Sequence, residues 1–307
     1  MIHVIANPAS HSGKGLAVWM KAEKELNKLG AEYTVHFTEY VGHSIELTKK
    51  ICKEEKRPFT LVAVGGDGSV NEIISSIDDF TGINFAVIPS GSGNDLARGL
   101  NLPKKPEELI RHIVNESSRF KMDYGVATLE NGESRKFSVS AGINFDAAIC
   151  EENLNSPIKK KLNKLHLGAL SYLFIGIKML STCKQIDMDV VIDGKEKRHY
   201  DRVFFLAAMN QKYEGGGLAV VPTANCADGK LSVGVIYGMS KFSAFCMIPF
   251  MTMGGKHVGF KGVDTFDCEK VEITAKETCC IHTDGEIMGH YDKVEFSCPN
   301  DKITMLL

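Results

Sequence analysis

Residues 61–72, LVAVGGDGSVNE, decide the fold. An apolar strand at residues 61–64 runs into the glycine-rich turn at residues 65–68, and helix-forming residues follow with no linker. A strand that leads through glycines directly into a helix is typical of βαβ units and a parallel sheet. Glycines let a phosphate approach the backbone, and the start of the helix offers unpaired N–H groups. The stretch therefore indicates a phosphate-binding loop, although a simple Gly-Asp-Gly turn explains it equally well.

A second glycine loop, residues 90–98 (SGSGNDLAR), follows the next predicted strand and also opens a helix. Loops after neighbouring parallel strands meet at one edge of the sheet, so the two predict a shared polyanion site. Neither matches the Walker or Rossmann fingerprint, because the Lys-Ser/Thr pair and the sixth-position glycine are absent. Asp67 repels phosphate, which implies a metal ion or water between them. A third loop, residues 7–15, brings Lys14 to a phosphate or leaves it solvated at a helix start.

The first part of the chain alternates strands and helices. Short β-prone runs occupy residues 2–6, 33–38, 60–64 and 84–88, and helical stretches occupy residues 15–29, 44–55, 70–77 and 106–115. This rhythm predicts a parallel α/β domain over residues 1–122.

After residue 122 the pattern changes to strands joined by turns such as Asn131-Gly132 and Asp193-Gly194. Many turn-linked strands predict an antiparallel β-sandwich domain over residues 123–307, with helical insertions at residues 160–180 and 241–254. The predicted strands are residues 122–129, 137–143, 186–192, 200–209, 231–237, 271–275, 278–282, 293–296 and 303–306.

The charge balance is close to neutral, since 36 Lys and Arg stand against 38 Asp and Glu. A nucleic-acid-binding protein usually has a basic excess, so we expect no nucleic acid partner. The nine cysteines include no Cys-x-x-Cys pair, which favours core residues in a reducing cytoplasm. The uncharged stretches at residues 165–177 and 242–255 fall short of the roughly 18–20 residues of a spanning helix. We therefore expect no transmembrane helix.

The motifs taken in order resemble the diacylglycerol kinase catalytic domain family. They are Asn7-Pro8, Thr38-Glu39, Gly42-His43, residues 65–72, residues 91–95, residues 137–148, residues 210–222, residues 228–231 and residues 284–286. The resemblance extends over essentially the whole chain and is closest to the soluble bacterial lipid kinases, which share a nucleotide-binding core with the NAD kinases. It implies ATP and Mg²⁺ bound between the two domains.

The resemblance also implies roles for individual residues. Glu286, or Asp284 close to it, is the expected general base, and Asp67 joins a water and metal network at the phosphates. A magnesium site is implied at Asp228 with the main-chain carbonyls of Asn225 and Lys230, although Asp284-Gly285 and Asp228-Gly229 read without the family are simply turns. The ATP-binding residues implied are Asn7, Pro8, Ser12, Gly13, Lys14, Thr38, Gly65, Gly66, Asp67, Gly68, Ser69, Asn71, Glu72, Ser92 and Asn94.

Three kinds of position depart from the family pattern. Ser69 and Ser92 stand where threonine is commoner, but both keep the hydroxyl. His11 occupies a place in the loop at residues 7–15 where glycine is frequent. Glu214 precedes three glycines where an aromatic residue is often seen.

Two segments join basic residues to apolar ones. Lys159–161 and Lys164 lead into the apolar residues 165–177, and residues 242–253 are flanked by Lys241, Lys256 and His257. Such segments suit an anionic membrane surface, and the alternative is that both simply cover the sandwich.

The expected function is ATP-dependent phosphorylation of a lipid hydroxyl, with diacylglycerol converted to phosphatidic acid in phospholipid biosynthesis. The alternatives are a kinase of another lipid alcohol such as a sphingoid base, an NAD kinase, and a nucleotide- or lipid-binding protein without turnover. We expect a cytoplasmic protein at the inner membrane surface, in peripheral contact with its lipid substrate. A homodimer is left open.

Overall fold

A computed structural model describes residues 1–155, 176, 178–180 and 182–307. Most of the helical insertion predicted at residues 160–180, with its lysine cluster, lies outside the described residues. Within the described part of the chain, no helix is both long and apolar enough to cross a membrane.

The N-terminal unit is a six-stranded sheet with strand order β2-β1-β3-β4-β18-β5. The first five strands of this order are parallel, and β5 is antiparallel to β18. Its strands are β1 (Ile2–Ala6), β2 (Tyr33–Phe37), β3 (Phe59–Gly65), β4 (Ile83–Pro89), β5 (Arg119–Met122) and β18 (Ile303–Leu306). Its helices are α1 (Ser10–Lys28), α2 (His43–Glu54), α3 (Asp67–Ser75), α4 (Asp95–Gly99) and α5 (Pro106–Asn115).

Both faces of this sheet are buried. Leu61 and Ala63 of β3 belong to one apolar cluster, whereas Val62 and Val64 belong to another on the opposite face. A strand that is covered on both faces reads as a continuous apolar run, which is why residues 61–64 carry no polar side chain. The register pairs Ala6 with Val64 and aligns the ends of β3 and β4, so three loops leave the sheet at the same edge.

The second unit is a ten-stranded antiparallel sheet with the path β15-β14-β11-β8-β16-β17-β6-β7, in which β9 joins β16 and β10. One apolar cluster takes side chains from distant strands of this path, including Leu129 and Cys268, so the sheet curls around a core as a sandwich does. The strands are β6 (Gly125–Leu129), β7 (Ser134–Phe137), β8 (Ser140–Asn144), β9 (Ile186–Ile192), β10 (Glu196–Val203), β11 (Phe205–Met209), β14 (Leu231–Ile236), β15 (Val263–Cys268), β16 (Lys270–Thr283) and β17 (Glu286–Ser297). A separate hairpin is formed by β12 (Tyr213–Glu214) and β13 (Leu218–Ala219), and the helices are α6 (Phe145–Asn155), α7 (Lys241–Phe245) and α8 (Ile248–Thr252).

The fold class is confirmed, but several predicted elements are divided differently. The predicted strand 122–129 breaks at Asp123, a fully buried residue whose carboxylate accepts hydrogen bonds from Gly229 N–H and from Lys302. This polar anchor ends β5 in the first sheet and starts β6 in the second. The strand predicted at residues 137–143 is interrupted between β7 and β8, and the strand predicted at residues 200–209 is divided between β10 and β11. The runs at residues 271–275 and 278–282 are one strand, β16.

Two further differences lie near the ends of the second unit. The helix predicted at residues 241–254 consists of two short helices, because Pro249 stands in the first turn of α8 and cannot continue a preceding helix. The last strand, β18, pairs with β4 and β5 rather than with the sandwich. The domain boundary at residue 122 remains a prediction, with β18 returning to the first sheet.

Candidate functional site

The two glycine loops touch each other through their backbones. A Cβ atom on Gly91 would lie 2.5 Å from the Cα of Gly66, and one on Gly66 would lie 2.9 Å from the Cα of Gly91. Real Cβ contacts are longer than this, so both positions require glycine. Ser90 N–H also donates to the Gly65 carbonyl at 2.8 Å. The loops after β3 and β4 therefore form one surface, as their position in the sequence predicts.

The loop after β1 joins the same surface. Asn7 donates its amide to the hydroxyl of Ser69 at 3.0 Å, and the hydroxyls of Ser10 and Ser90 are 2.6 Å apart. His11, which departs from the family pattern, lies with Nδ1 3.0 Å from the Gly91 carbonyl oxygen. Lys14 is exposed at this edge, and it forms no salt bridge with any described residue.

Some of the residues predicted to bind ATP also shape the loops. Glu72 accepts hydrogen bonds from Gly42 N–H at 3.2 Å and from the Ser44 hydroxyl, so it holds the start of α2. Asn94 has φ 54° and uses both ends of its amide on the backbone of Gly91. The remaining predicted residues lie on or next to the three loops: Pro8, Ser12, Gly13, Thr38, Gly68 and Ser92.

Two carboxylates face each other beside these loops. Asp67, the first residue of α3, accepts the N–H of Leu96 at 3.4 Å, and Asp95 accepts the N–H of Gly216 at 2.7 Å and pairs with Arg98. Burial, followed by the charges of Asp95 and Asp284, raises the pKa of Asp67 to about 6. Burial also raises the pKa of Asp95. Two neighbouring carboxylates that are largely withdrawn from solvent are suited to a bound cation. The sequence did not single out Asp95, although it lies within the quoted loop.

Asp284 lies in a two-residue turn between β16 and β17. Asp284 and Gly285 both have positive φ, 48° and 85°, as a type I′ turn requires. The Asp284 carboxylate is fully occupied, because it accepts five hydrogen bonds of 2.8–3.0 Å. The donors are the Asn71 amide, the Ser138 hydroxyl and the backbone N–H groups of Ser138, Val139 and Ser140. Asp284 therefore lies in the turn that the sequence predicts, and it is also one of the two residues proposed from the family resemblance as the general base.

The bond from Asn71 to Asp284 joins the two units. Asn71 is 2% exposed and also donates to the Lys136 carbonyl at 3.1 Å. Residues 213 positions apart are therefore held together at the point where α3 of the first unit meets the turn of the second.

Glu286 begins β17 and is differently placed. Its carboxylate has no hydrogen bond or salt bridge to any described residue. It reaches the other unit, because a Cβ on Gly68 would lie 3.4 Å from Glu286 Oε1. A carboxylate that is unpartnered and lies over the first turn of α3 is available to accept a proton beside the glycine loops.

A buried polar cluster adjoins this turn, and sequence reasoning missed it. His282 is fully buried, and its Nε2 lies 2.7 Å from Asp146 Oδ2 and 3.6 Å from Glu214 Oε1. Gly285 N–H donates to His282 Nδ1 at 3.1 Å. The imidazole therefore links the Asp284-Gly285 turn to α6 and to the β12–β13 hairpin. The available sequence signal was the nearness of His282, at the end of β16, to the predicted Asp284-Gly285 turn two residues later.

The hydrogen bonds of this cluster also fix its protons. Since Nδ1 accepts a hydrogen bond from Gly285 N–H, the neutral imidazole carries its hydrogen on Nε2 and donates it to Asp146 in a hydrogen bond. Burial opposes ionisation of Asp146, but the adjoining imidazole and the Glu214 carboxyl outweigh it and lower the pKa of Asp146. Burial and the charge of Asp146 raise the pKa of Glu214 well above its usual value.

The same cluster has the residue types of a metal site. One ligand atom each from Asp146, Cys150 and His282 lie within 4.8 Å of one another. A metal-ligating histidine, however, donates its other ring N–H outward, whereas His282 Nδ1 accepts a hydrogen bond. The arrangement favours a hydrogen-bonded cluster over a metal site.

The metal site implied by the family falls on an exposed loop before β14. Asp228 Oδ1 accepts Lys230 N–H at 3.0 Å, and Asn225 Oδ1 accepts Ala227 N–H at 3.2 Å. Carboxylate and carbonyl oxygens are the ligands that Mg²⁺ prefers, so the donor set fits. Asp228 lies in a turn, as the sequence also allowed, and its metal role stays a prediction.

Comparison with known proteins places this geometry in context. Two protein-family models match the chain: the diacylglycerol kinase catalytic domain over residues 1–127, and the YegS C-terminal NAD kinase beta sandwich-like domain over residues 138–304. The putative lipid kinase YtlR of Bacillus subtilis is 26% identical over 293 residues, which covers 93% of each chain. A diacylglycerol kinase of Bacillus subtilis is 24% identical and covers 87% of this chain and 83% of its own length.

Solved structures show the same fold. A putative diacylglycerol kinase from Bacillus anthracis superposes with a TM-score of 0.76 at 19% identity and covers 99% of this chain and 96% of its own. An NAD kinase from Archaeoglobus fulgidus, in complex with ATP, superposes with a TM-score of 0.54 at 12% identity and covers 100% of this chain and 94% of its own.

Proposed function

Because the chain belongs to the diacylglycerol kinase family of lipid kinases, we propose that it transfers the γ-phosphate of ATP to the hydroxyl of a lipid alcohol, with diacylglycerol as the first candidate. In this reaction the lipid oxygen forms a bond to the γ-phosphorus as the bond to the ADP oxygen breaks. The hydroxyl proton passes to a base on the protein. The products are a lipid phosphate and ADP.

The observation that carries the proposal is the placement of Glu286. Its unpartnered carboxylate lies over the first turn of α3, next to loops suited to phosphates. Asp284 accepts five hydrogen bonds, so its lone pairs are already engaged. Glu286 is therefore the proton acceptor in our proposal, and Asp284 is a positioning residue that fixes the turn.

The phosphate side is formed by the three loops. Free backbone N–H groups at the start of α3 and the exposed Lys14 contribute positive potential for a triphosphate. The hydrogen bond between Asn7 and Ser69 holds the loop after β1 beside the start of α3. Phosphoryl transfer depends mainly on such positioning and on charge stabilisation.

A divalent cation fits beside Asp67. Burial, followed by the charge of Asp95, raises the pKa of Asp67, and a cation beside this carboxylate would favour its ionised form. Mg²⁺ bound there would balance the phosphate charge when ATP is present. Asp67 would hold it directly or through water. The loop at Asp228, with the carbonyls of Asn225 and Lys230, is the second proposed magnesium site.

Diacylglycerol is the preferred acceptor because two of the relatives named above are a diacylglycerol kinase and a putative diacylglycerol kinase. A cytoplasmic enzyme in peripheral contact with the inner membrane surface would meet this lipid there and supply phospholipid biosynthesis. Sphingoid bases and other lipid alcohols share the acceptor hydroxyl. They differ in apolar groups whose discrimination is worth about 1–3 kcal/mol per methylene.

A competition assay tests the proposal. Vesicles that contain diacylglycerol, monoacylglycerol, a sphingoid base and a polyprenol are incubated with MgATP, with NAD in the solution, and the phosphorylated products are identified by mass spectrometry. Phosphatidic acid is expected as the main product. Glu286→Gln should abolish it, whereas Glu130→Gln, on an exposed hairpin away from the site, should not.

The product list separates the alternatives. Another lipid phosphate in place of phosphatidic acid would change the proposed acceptor lipid but leave the proposed lipid kinase activity intact. NADP as the sole product would overturn the proposal in favour of an NAD kinase. Nucleotide binding with no phosphorylated product would indicate a binding protein without turnover.

A further inference from the structure

The loop between β14 and β15 carries a concentration of exposed apolar side chains. Phe242 is 73% exposed and Met253 is 55% exposed, and Phe250, Val258 and Phe260 are 37–40% exposed. We call these five residues the apolar patch. Isolated exposed apolar residues are normal, but a group within 19 residues of chain marks a surface that meets an apolar partner.

The patch stands on a fixed base. Ala244, Met247 and Met251, on the inner side of α7 and α8, are buried in the apolar cluster beneath them. His257 is 2% exposed and lies with Nε2 3.0 Å from the Val220 carbonyl oxygen. The exposed side chains therefore do not belong to a loose loop, because their neighbours hold the backbone against the sandwich.

The charged residues within this segment of the chain have one sign. Lys256 and Lys261 are exposed and Lys241 is half-buried, and none of the three forms a salt bridge with a described residue. Residues 239–263 contain no aspartate or glutamate. Exposed aromatic and methionine side chains on a segment with lysines and no acidic residues match the layers of an anionic bilayer, in which a negative surface covers an apolar interior.

Another exposed apolar pair, Tyr40 and Val41, lacks this charge pattern. Tyr40 and Val41 lie between β2 and α2, where Glu39 precedes them and Glu46 accepts the Tyr40 hydroxyl at 2.9 Å. Negative charge at that surface repels anionic lipid. We propose that the apolar patch with Lys241, Lys256 and Lys261 is the surface by which the protein docks on an anionic lipid bilayer.

The docking surface is continuous with the site. Gly255 packs on Pro222, since a Cβ there would lie 2.2 Å from the proline ring. The chain segment that leads to Pro222 is the β12–β13 hairpin, whose Gly216 donates to Asp95 and whose Glu214 adjoins His282. The segment that carries the patch is thus packed beside the chain that leads from the hairpin bordering the Asp284 turn. The choice of a lipid partner rests on the proposed function, but the binding test does not require turnover.

Vesicle sedimentation tests the surface. Wild-type protein should bind phosphatidylcholine vesicles that contain phosphatidylglycerol, and should bind pure phosphatidylcholine or high-salt samples much more weakly. Lys241→Gln, Lys256→Gln and Lys261→Gln combined should lower binding on the order of 100-fold, since each basic residue near such a surface contributes about fivefold. Phe242→Ser with Met253→Ser should lower it about tenfold or more.

Matched variants elsewhere serve as controls. Lys24→Gln, Lys49→Gln and Lys53→Gln remove three exposed lysines of α1 and α2, and Met20→Ser removes an exposed methionine. These should bind as wild type does, and all variants should melt at the wild-type temperature. The inference would be overturned if wild-type protein does not bind anionic vesicles, or if the patch variants bind them as tightly as wild type does.

Turnover on a dispersed short-chain diacylglycerol in detergent micelles separates this inference from the proposed function. Patch variants should keep wild-type turnover in micelles while they lose binding to vesicles. Absence of turnover in wild-type protein would count against the proposed function alone, and the sedimentation result would still decide the docking surface.

Discussion

Asp284→Asn is expected to lower both turnover and stability, whereas Glu286→Gln is expected to lower turnover alone. The difference follows from their hydrogen bonds. Oδ1 of Asp284 accepts two backbone N–H groups, and Oδ2 accepts a backbone N–H, a hydroxyl and the Asn71 amide. An asparagine amide turns an NH₂ group toward one of these two sets of donors.

The magnitude follows from that count. Either orientation of the asparagine loses at least two hydrogen bonds to a charged group, each worth about 1.5–3 kcal/mol. A loss of about 3–6 kcal/mol corresponds to a fall in melting temperature on the order of 10 °C for a protein of this size. Glu286 has no partner to lose among the described residues, so its substitution should change stability by less than about 0.5 kcal/mol. Loss of a general base should lower kcat by about 10²–10⁴-fold.

The assay is thermal unfolding of both variants and wild type, followed by turnover with MgATP and diacylglycerol vesicles. Glu130→Gln controls for an exposed glutamate. Asp284→Asn with the wild-type melting temperature would refute the positioning role, and Glu286→Gln with more than a tenth of wild-type turnover would refute the assignment of the base.

Substitutions at three other positions test the surroundings of the site. Burial and the charge of a neighbouring carboxylate raise the pKa of Asp67 from 3.8 to about 6. Its ionisation therefore destabilises the folded protein as pH rises through that range. Asp67→Asn should raise the melting temperature at neutral pH, with a smaller gain at about pH 5. His282→Asn keeps an acceptor near the Nδ1 position for Gly285, whereas His282→Gln keeps only a donor toward Asp146. Because the side chain at position 282 then still holds the turn only in the asparagine variant, the kcat of that variant should exceed that of the glutamine variant. The KM for ATP should be unchanged in both. Gly91→Ala, whose methyl group would lie 2.5 Å from the facing loop, should raise KM for ATP and lower stability, as kinetics and thermal unfolding will measure.

The sequence predicts the first unit well because its signals are local. The apolar run at residues 61–64 and the glycines that follow specify a buried strand and a loop, and the structure has β3 and α3 there. The register of parallel strands then brings the loops to one edge without further information. Asp67 and Gly91 could be located in this way from the sequence alone.

The contacts between the two units could not be predicted from local signals. The pairing of Asn71 with Asp284 depends on how α3 meets a turn 213 residues later, and no short-range pattern records it. His282 and Glu214 adjoin for the same reason. β18 reads as one more alternating strand, and only its register shows that it pairs with β4. Tertiary packing therefore decides which carboxylate is engaged and which is left unpartnered.

Transfer of label from γ-labelled ATP tests the central claim most directly. Wild-type protein and Glu286→Gln are offered labelled MgATP with diacylglycerol vesicles and, in a separate reaction, with NAD. The account predicts label in the organic phase as phosphatidic acid for wild type, none for the variant, and none in NAD. Label in NAD with an unlabelled organic phase, or equal labelling by wild type and variant, would contradict it.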